Sequence, residues 1–227
     1  MEFRQILTNL KTVKIKDPVV KLWEQGKYHP AHEINASSTE PVRLWEYISY
    51  VLLIGLALGM RLWDLGSRAF HHDESLHAYF SWELYAGRGL QHNPMLHGPF
   101  QFEANAALFF LFGDNNYTAR LLYVIMGVAL VLMPLLFRNR LGNIGAIITS
   151  LLITVSPAML YFSRFARNDI IMAVWTLGLV ICLWRYIDEG KNRYLYIAAA
   201  LAALSFSTKE PSYLTPGLLG LFLILIN

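Results

Sequence analysis

Residues 119–137 read ARLLYVIMGVALVLMPLLF and carry no charge after Arg120. A helix needs about 20 mostly apolar residues to cross a hydrocarbon layer roughly 30 Å thick, and a helix satisfies its own backbone polar groups there. The stretch therefore reads as a membrane-spanning helix. Working outward, segments 44–62, 144–162, 170–186, 194–206 and 213–226 repeat the pattern. Segment 194–206 is short, and its Ser and Thr neighbours extend it to a marginal span. No charged residue falls in the middle of any span, which argues against a proton pump or voltage sensor. The absence of polar midplane residues argues against a transporter.

Composition agrees. The chain has 227 residues, 55% apolar and only 15% charged, against roughly 25% charged in soluble domains. Its mean hydropathy is +0.38. A single cysteine, Cys182, excludes a disulfide framework and a Cys-type zinc site. A net charge of +3 gives no footprint for nucleic acid. The expected fold is an all-α polytopic membrane helix bundle of about six spans. Residues 1–43 form a tail and 44–227 the transmembrane module. The tail is too polar for a signal peptide. Phe3, Ile6, Leu7, Leu10 and Val13 recur in it at helical spacing, which suits an interfacial helix or a tail drawn weakly to the membrane.

Lysines and arginines of short loops set orientation. The tail carries seven, from Arg4 to Arg43; one short loop carries Arg138 and Arg140, another Lys191 and Arg193. Alternating spans put all three on one face, expected to be cytoplasmic, with the N-terminus inside. The expected location is a prokaryotic plasma membrane. The opposite face holds Arg61, Arg68, Arg88, Arg120, Arg164 and Arg167. Its largest connection, 63–118, is broken by Pro94 and Pro99, with an amphipathic stretch at 74–85 and an apolar one at 100–112. The second is too short to span and suits a helix lying in the interface.

Three outer connections carry the chemistry. The first contains Asp73 and Glu74 beside His71, His72 and His77. Adjacent carboxylates on a helix point in different directions, so one can accept a proton from a hydroxyl while the other orients a ligand. The second holds Arg164, Arg167 and Asp169. Two arginines three apart share a face of a helical turn, and their guanidinium forks match a phosphate. Asp169 can orient an arginine or meet a sugar hydroxyl. The third holds Lys209 and Glu210, with Lys209 a further phosphate contact. His72, Asp73 and His77, completed by His92 and His97, are candidate ligands for a divalent metal. Five-residue spacing puts His72 and His77 on different helix faces. Loop histidines that hydrogen-bond a phosphate or carboxylate are the commoner case. Interfacial snorkelling is the alternative reading of each charge taken singly. There is no P-loop, dinucleotide fingerprint or nucleophile elbow.

The residues also resemble a family. The run from Arg61-Leu62-Trp63 to Asp73-Glu74, then His97-Gly98-Pro99-Phe100, Phe112-Gly113 and Ala119-Arg120-Leu121-Leu122, is similar to the opening of polyprenyl-phosphate-sugar-dependent glycosyltransferases. These are GT-C enzymes of the dolichyl-phosphate-mannose protein mannosyltransferase type. Ser156-Pro157 with Tyr161-Phe162-Ser163-Arg164-Phe165 and Asp169 resembles the next motif, and Leu204-Ser205-Phe206-Ser207-Thr208-Lys209 the one after. The resemblance covers residues 60–216. It implies transfer of a sugar, on the outer face, from a polyprenyl-phosphate-linked donor to an acceptor hydroxyl. Asp73 would be the base and Glu74 its neighbour in acceptor binding. Arg164, Arg167 and Lys209 would hold the lipid phosphate. Family enzymes carry further spans, so the chain is expected to correspond to an N-terminal half. Expected partners are membrane lipids and other transmembrane chains. A non-catalytic subunit of a larger membrane assembly, such as an energy-converting complex, is the alternative.

Overall fold

The computed structural model describes residues 43–90 and 96–226. The amphipathic pattern of the tail and His92 lie outside these residues. Residues 40–219 form one compact unit. Among the described residues every regular element is helical. In chain order they are α1 (Leu44–Leu62), α2 (His72–Tyr85), α3 (Phe100–Phe112), α4 (Thr118–Leu136), α5 (Arg138–Val155), α6 (Pro157–Ser163), α7 (Asp169–Glu189), α8 (Arg193–Phe206), a 3-10 turn (Glu210–Tyr213) and α9 (Leu214–Ile226).

The stretch that decides the fold is also its centre. Helix α4 packs against α1, α3, α5, α6 and α7. In α4, 56% of the apolar window is buried, against 28% in α1, which buries a single stripe of Glu46, Tyr50, Leu53, Ala57 and Arg61 at spacings of three and four. The main core is the seam of α4 and α7, where Leu122, Tyr123, Leu130 and Met133 meet Ile170, Ile171, Val174 and Trp175. Gly127 lets α4 approach α6, because a Cβ there would sit 2.6 Å from Ser163 Cβ.

Among the described residues three helices (α1, α4 and α7) are long and apolar enough to cross a membrane, and α5 with α6 makes a fourth if the bent pair counts as one span. The reading of about six spans therefore meets shorter elements. Segment 144–162 is not one rod: Ser156 caps α6, Pro157 occupies its first turn, and the axes differ by 63°. Proline lacks an N–H and cannot continue α5, but it suits the first turn of a new helix. Helix α8 has 14 residues and α9 has 13. At 1.5 Å per residue each is about 20 Å long, well short of the hydrocarbon thickness.

The starts of α1 and α5 and the α7–α8 connection form one end of the bundle. Buried Glu46 accepts a hydrogen bond from Asn143 Nδ2 at 2.9 Å and lies 3.6 Å from Arg138. Arg140 pairs with Asp188, and Glu189 with Lys191 and Arg193. The other end holds α2, α3 and the loops after α6 and α8.

Candidate functional site

Helix α2 begins with a reciprocal cap. His71 Nδ1 accepts from the Asp73 amide at 3.4 Å, and Glu74 reaches back to the His71 amide at 3.1 Å. The helix start favours negative charge at both Asp73 and Glu74. From there the two acids part, as adjacent residues on a helix must.

Glu74 points into the protein and is fully buried. Oε1 accepts from Arg120 Nε at 2.8 Å and from the Ala166 amide at 3.1 Å. Oε2 accepts from Arg120 Nη2 at 3.0 Å, from Arg68 Nη2 at 3.2 Å and from His71. Burial disfavours its charge, but Arg120 and the two amides outweigh that and hold its carboxyl below the ordinary value. Arg120, also buried, spends its remaining donors on the carbonyls of Leu65, Arg68 and Ala69. Glu74 thus forms an internal clasp joining α2, α4 and the loop after α6. Arg120 gave only a general interfacial signal in the sequence; no spacing linked it to Glu74.

Asp73 faces the opposite way and stays partly exposed. Arg167 Nη1 lies 3.3 Å from Asp73 Oδ2, Arg167 Nε lies 3.4 Å from Asp169 Oδ2, and Lys209 Nζ donates to Asp169 Oδ1 at 3.2 Å. One ionic chain therefore joins the three sequence motifs at one end of the bundle.

A second seam closes beside it. The Gly98 amide donates to Thr208 O at 3.2 Å and the Phe100 amide to Ser207 O at 3.0 Å. Trp175 Nε1 donates to Thr208 Oγ1 at 3.1 Å and holds that turn against α7. A Cβ on Gly98 would lie 2.1 Å from the Ser207 carbonyl oxygen, so only glycine permits this approach. His97 takes a positive φ of 69° and places Nδ1 2.6 Å from Glu210 Oε2. A non-glycine residue in that region is uncommon and marks a position that the surroundings over-determine.

His77 lies beneath these groups, buried, with Nδ1 2.7 Å from the Gln101 amide nitrogen. Gln101 Oε1 accepts from Tyr123 OH at 3.5 Å. A donating amide leaves the His77 proton on Nε2. Burial, then His97, pushes the ring down to about 4, with Asp73 opposing, so it is neutral near pH 7. Gln101 was not singled out in the sequence, since a polar residue in an apolar helix declares no partner.

Arg164 and Arg167 do not share a face. Helix α6 ends at Ser163, and the turn that follows sends them apart. Arg164 Nη2 donates to Trp63 O at 2.6 Å and Nη1 to Met60 O at 3.4 Å, capping α1. Among the described residues no group of three or more His, Cys, Asp or Glu is placed to hold a metal ion. His72 is exposed and His77 is buried, so the two candidates diverge.

The fold and site define a helical membrane protein whose span ends gather acids and bases from three distant segments into one half-exposed cluster. Residues 97–227, more than half of the chain, match the family model for dolichyl-phosphate-mannose-protein mannosyltransferase, and the chain belongs to that family. It carries a GT-C-type membrane glycosyltransferase-like module. No curated protein and no solved structure matches it. The match includes His97, Arg164, Arg167, Asp169, Lys209 and Glu210, and begins after Asp73 and Glu74. Those two acids are joined to the matched part by Arg167 and Arg120.

Proposed function

We propose that this module transfers a sugar from a polyprenyl-phosphate-linked donor to an acceptor hydroxyl, with Asp73 as the base. The supporting observation is the ionic chain Asp73–Arg167–Asp169–Lys209, which sets partly exposed Asp73 beside Arg167 and links it through Asp169 to Lys209. Asp73 takes the hydroxyl proton, and the acceptor oxygen forms a bond to the anomeric carbon. The bond from that carbon to the phosphate oxygen breaks, and its electron pair leaves with the polyprenyl phosphate. Arg167 and Lys209 then stabilise the charge that grows on the phosphate, where fixed cations lower the barrier most. Asp169 positions both cations. Arg164 stands apart in this scheme.

The test is transfer of labelled sugar from a polyprenyl phosphate donor by membranes containing the chain. Asp73→Asn keeps the shape and removes the base, so turnover falls by about 10²-fold or more. Unchanged turnover in that variant would remove the base and the reading with it.

The cluster is proposed to face outward, with the Lys191–Arg193 end cytoplasmic, in a prokaryotic plasma membrane. Lysine and arginine content at that end supports this. The exposed apolar faces of α1 and α5 are covered by lipid or by other transmembrane chains. Mass measurement after purification in mild detergent distinguishes the two.

A further inference from the structure

Away from the ionic chain, two hollows meet at Leu160. One is an apolar groove of about 440 Å³ along α1, bordered by Gly55, Leu56, Gly59, Met60 and Trp63. These positions recur at i, i+4 and i+8, so the groove follows one face of the helix. Gly55 and Gly59 leave it open, since a Cβ on either would meet nothing within 4 Å. The other is a cleft of about 470 Å³ at the end of α1, bordered by Asp64, Ser67, Arg68, Arg120, Tyr161 and Arg164. It shares no residue with the Asp73–Arg167–Asp169–Lys209 chain.

The groove and cleft stand where the tail and head of a lipid would. Trp63 and Tyr161 are exposed at the junction, 79% and 48%, and such aromatics sit at the headgroup level of a bilayer. The end of a helix ordinarily repels an anion through its free carbonyls. Here Arg164 donates to the carbonyls of Met60, Trp63 and Asp64, which removes that repulsion and leaves a guanidinium at the mouth. Arg68, with its side chain 52% exposed, adds a second, its charge lying 5.6 Å from the Phe165 ring centre.

The charges select among phosphates. Arg68, Arg120 and Arg164 bring three positive charges; Glu74, which pairs with both Arg120 and Arg68, and exposed Asp64 offset two of them. The cleft therefore carries about one net positive charge, which suits a monoanionic phosphodiester better than the dianion of a phosphate monoester.

We propose that this groove and cleft hold one anionic glycerophospholipid, its phosphodiester between Arg68 and Arg164 and an acyl chain along Gly55 and Gly59. The site is independent of the transfer chemistry.

The test is native mass spectrometry of the delipidated full chain in mild detergent, titrated with phosphatidylglycerol, phosphatidylcholine or a polyprenyl phosphate, free and sugar-linked. One phosphatidylglycerol should bind about fivefold more tightly than phosphatidylcholine, from about one net positive charge at the cleft. Arg68→Gln should weaken it about fivefold. Gly59→Leu fills open space, keeps the unfolding temperature and weakens retention of both phospholipids; Gly55→Leu repeats that control. Equal binding of the two phospholipids would overturn the proposal, as would tight phosphatidylglycerol binding that ignores every substitution. Displacement of phosphatidylglycerol by the equimolar sugar-linked polyprenyl phosphate, itself a monoanionic phosphodiester, or by polyprenyl phosphate would also overturn it, by giving the cleft to the donor or its carrier lipid.

Discussion

Arg167 holds Asp73 through Nη1 at 3.3 Å while its Nε faces Asp169 at 3.4 Å. One guanidinium thus spans the proposed base and the carboxylate that also positions Lys209. All four side chains are 22–42% exposed, so these pairs add little to stability. Their value lies in position. Arg167→Gln should raise the donor KM and lower kcat, with a thermal unfolding temperature close to that of the parent. Asp73→Asn should lower kcat and leave the donor KM nearly unchanged. Steady-state transfer assays read the split.

The Glu74–Arg120 pair should behave in the opposite way. Removing one partner of a buried, hydrogen-bonded pair typically costs about 3–5 kcal/mol, because the other is left charged and uncompensated. Glu74→Gln should therefore lower the unfolding temperature in detergent sharply. The carboxyl titrates below its ordinary value of 4.5, so the clasp is intact above that pH and weakens as pH falls through the lowered value. Unfolding followed between pH 6 and about pH 3 should steepen in the parent and flatten in Glu74→Gln.

His77 sets a second acid limit. Its folded value of about 4 lies below its ordinary 6.5. Between these values the unfolded chain binds a proton that the folded chain does not, so stability falls as pH drops from about 6.5 to about 4. The full contribution is on the order of 3 kcal/mol. Ring signals of His77 observed by NMR should not titrate from pH 7.5 to about 5.5.

Gly98→Ala should open the seam between residues 97–100 and 207–210. The new Cβ meets a backbone carbonyl, which cannot swing away as a side chain could. The loss of two ladder-like bonds and the clash should cost about 2 kcal/mol or more. Transfer activity should fall with it, since Lys209 and His97 lie on the two sides of the seam.

Orientation is testable with the native chain as background, because its single cysteine, Cys182, is buried. Cysteines placed at exposed His72 and Asn192 should react with an impermeant reagent from opposite sides of the membrane. Labelling of both from the same side would overturn this arrangement of the two ends.

The sequence by itself determined the class. Unbroken apolar runs such as 119–137 read as helices, because a lipid layer offers the backbone no outside partner and a barrel strand would be shorter and alternate. It also named the three charged motifs and, through the parity of the spans, placed them at one end. Helix lengths were less legible: Ser156-Pro157 turns one apolar run into two helices, and apolarity alone does not show where hydrogen bonding stops. Partners were not legible at all. Asp73 and Glu74 are neighbours with the same chemistry, yet one is buried against Arg120 and the other meets Arg167 near the surface. That division depends on which arginine the fold brings to each carboxylate, 2.8 Å for Arg120 at Glu74 and 3.3 Å for Arg167 at Asp73, and sequence spacing carries no such distance. Arg164 and Arg167 were separated for the same reason. Their three-residue interval implies a shared face only inside a helix, and tertiary packing ended that helix at Ser163.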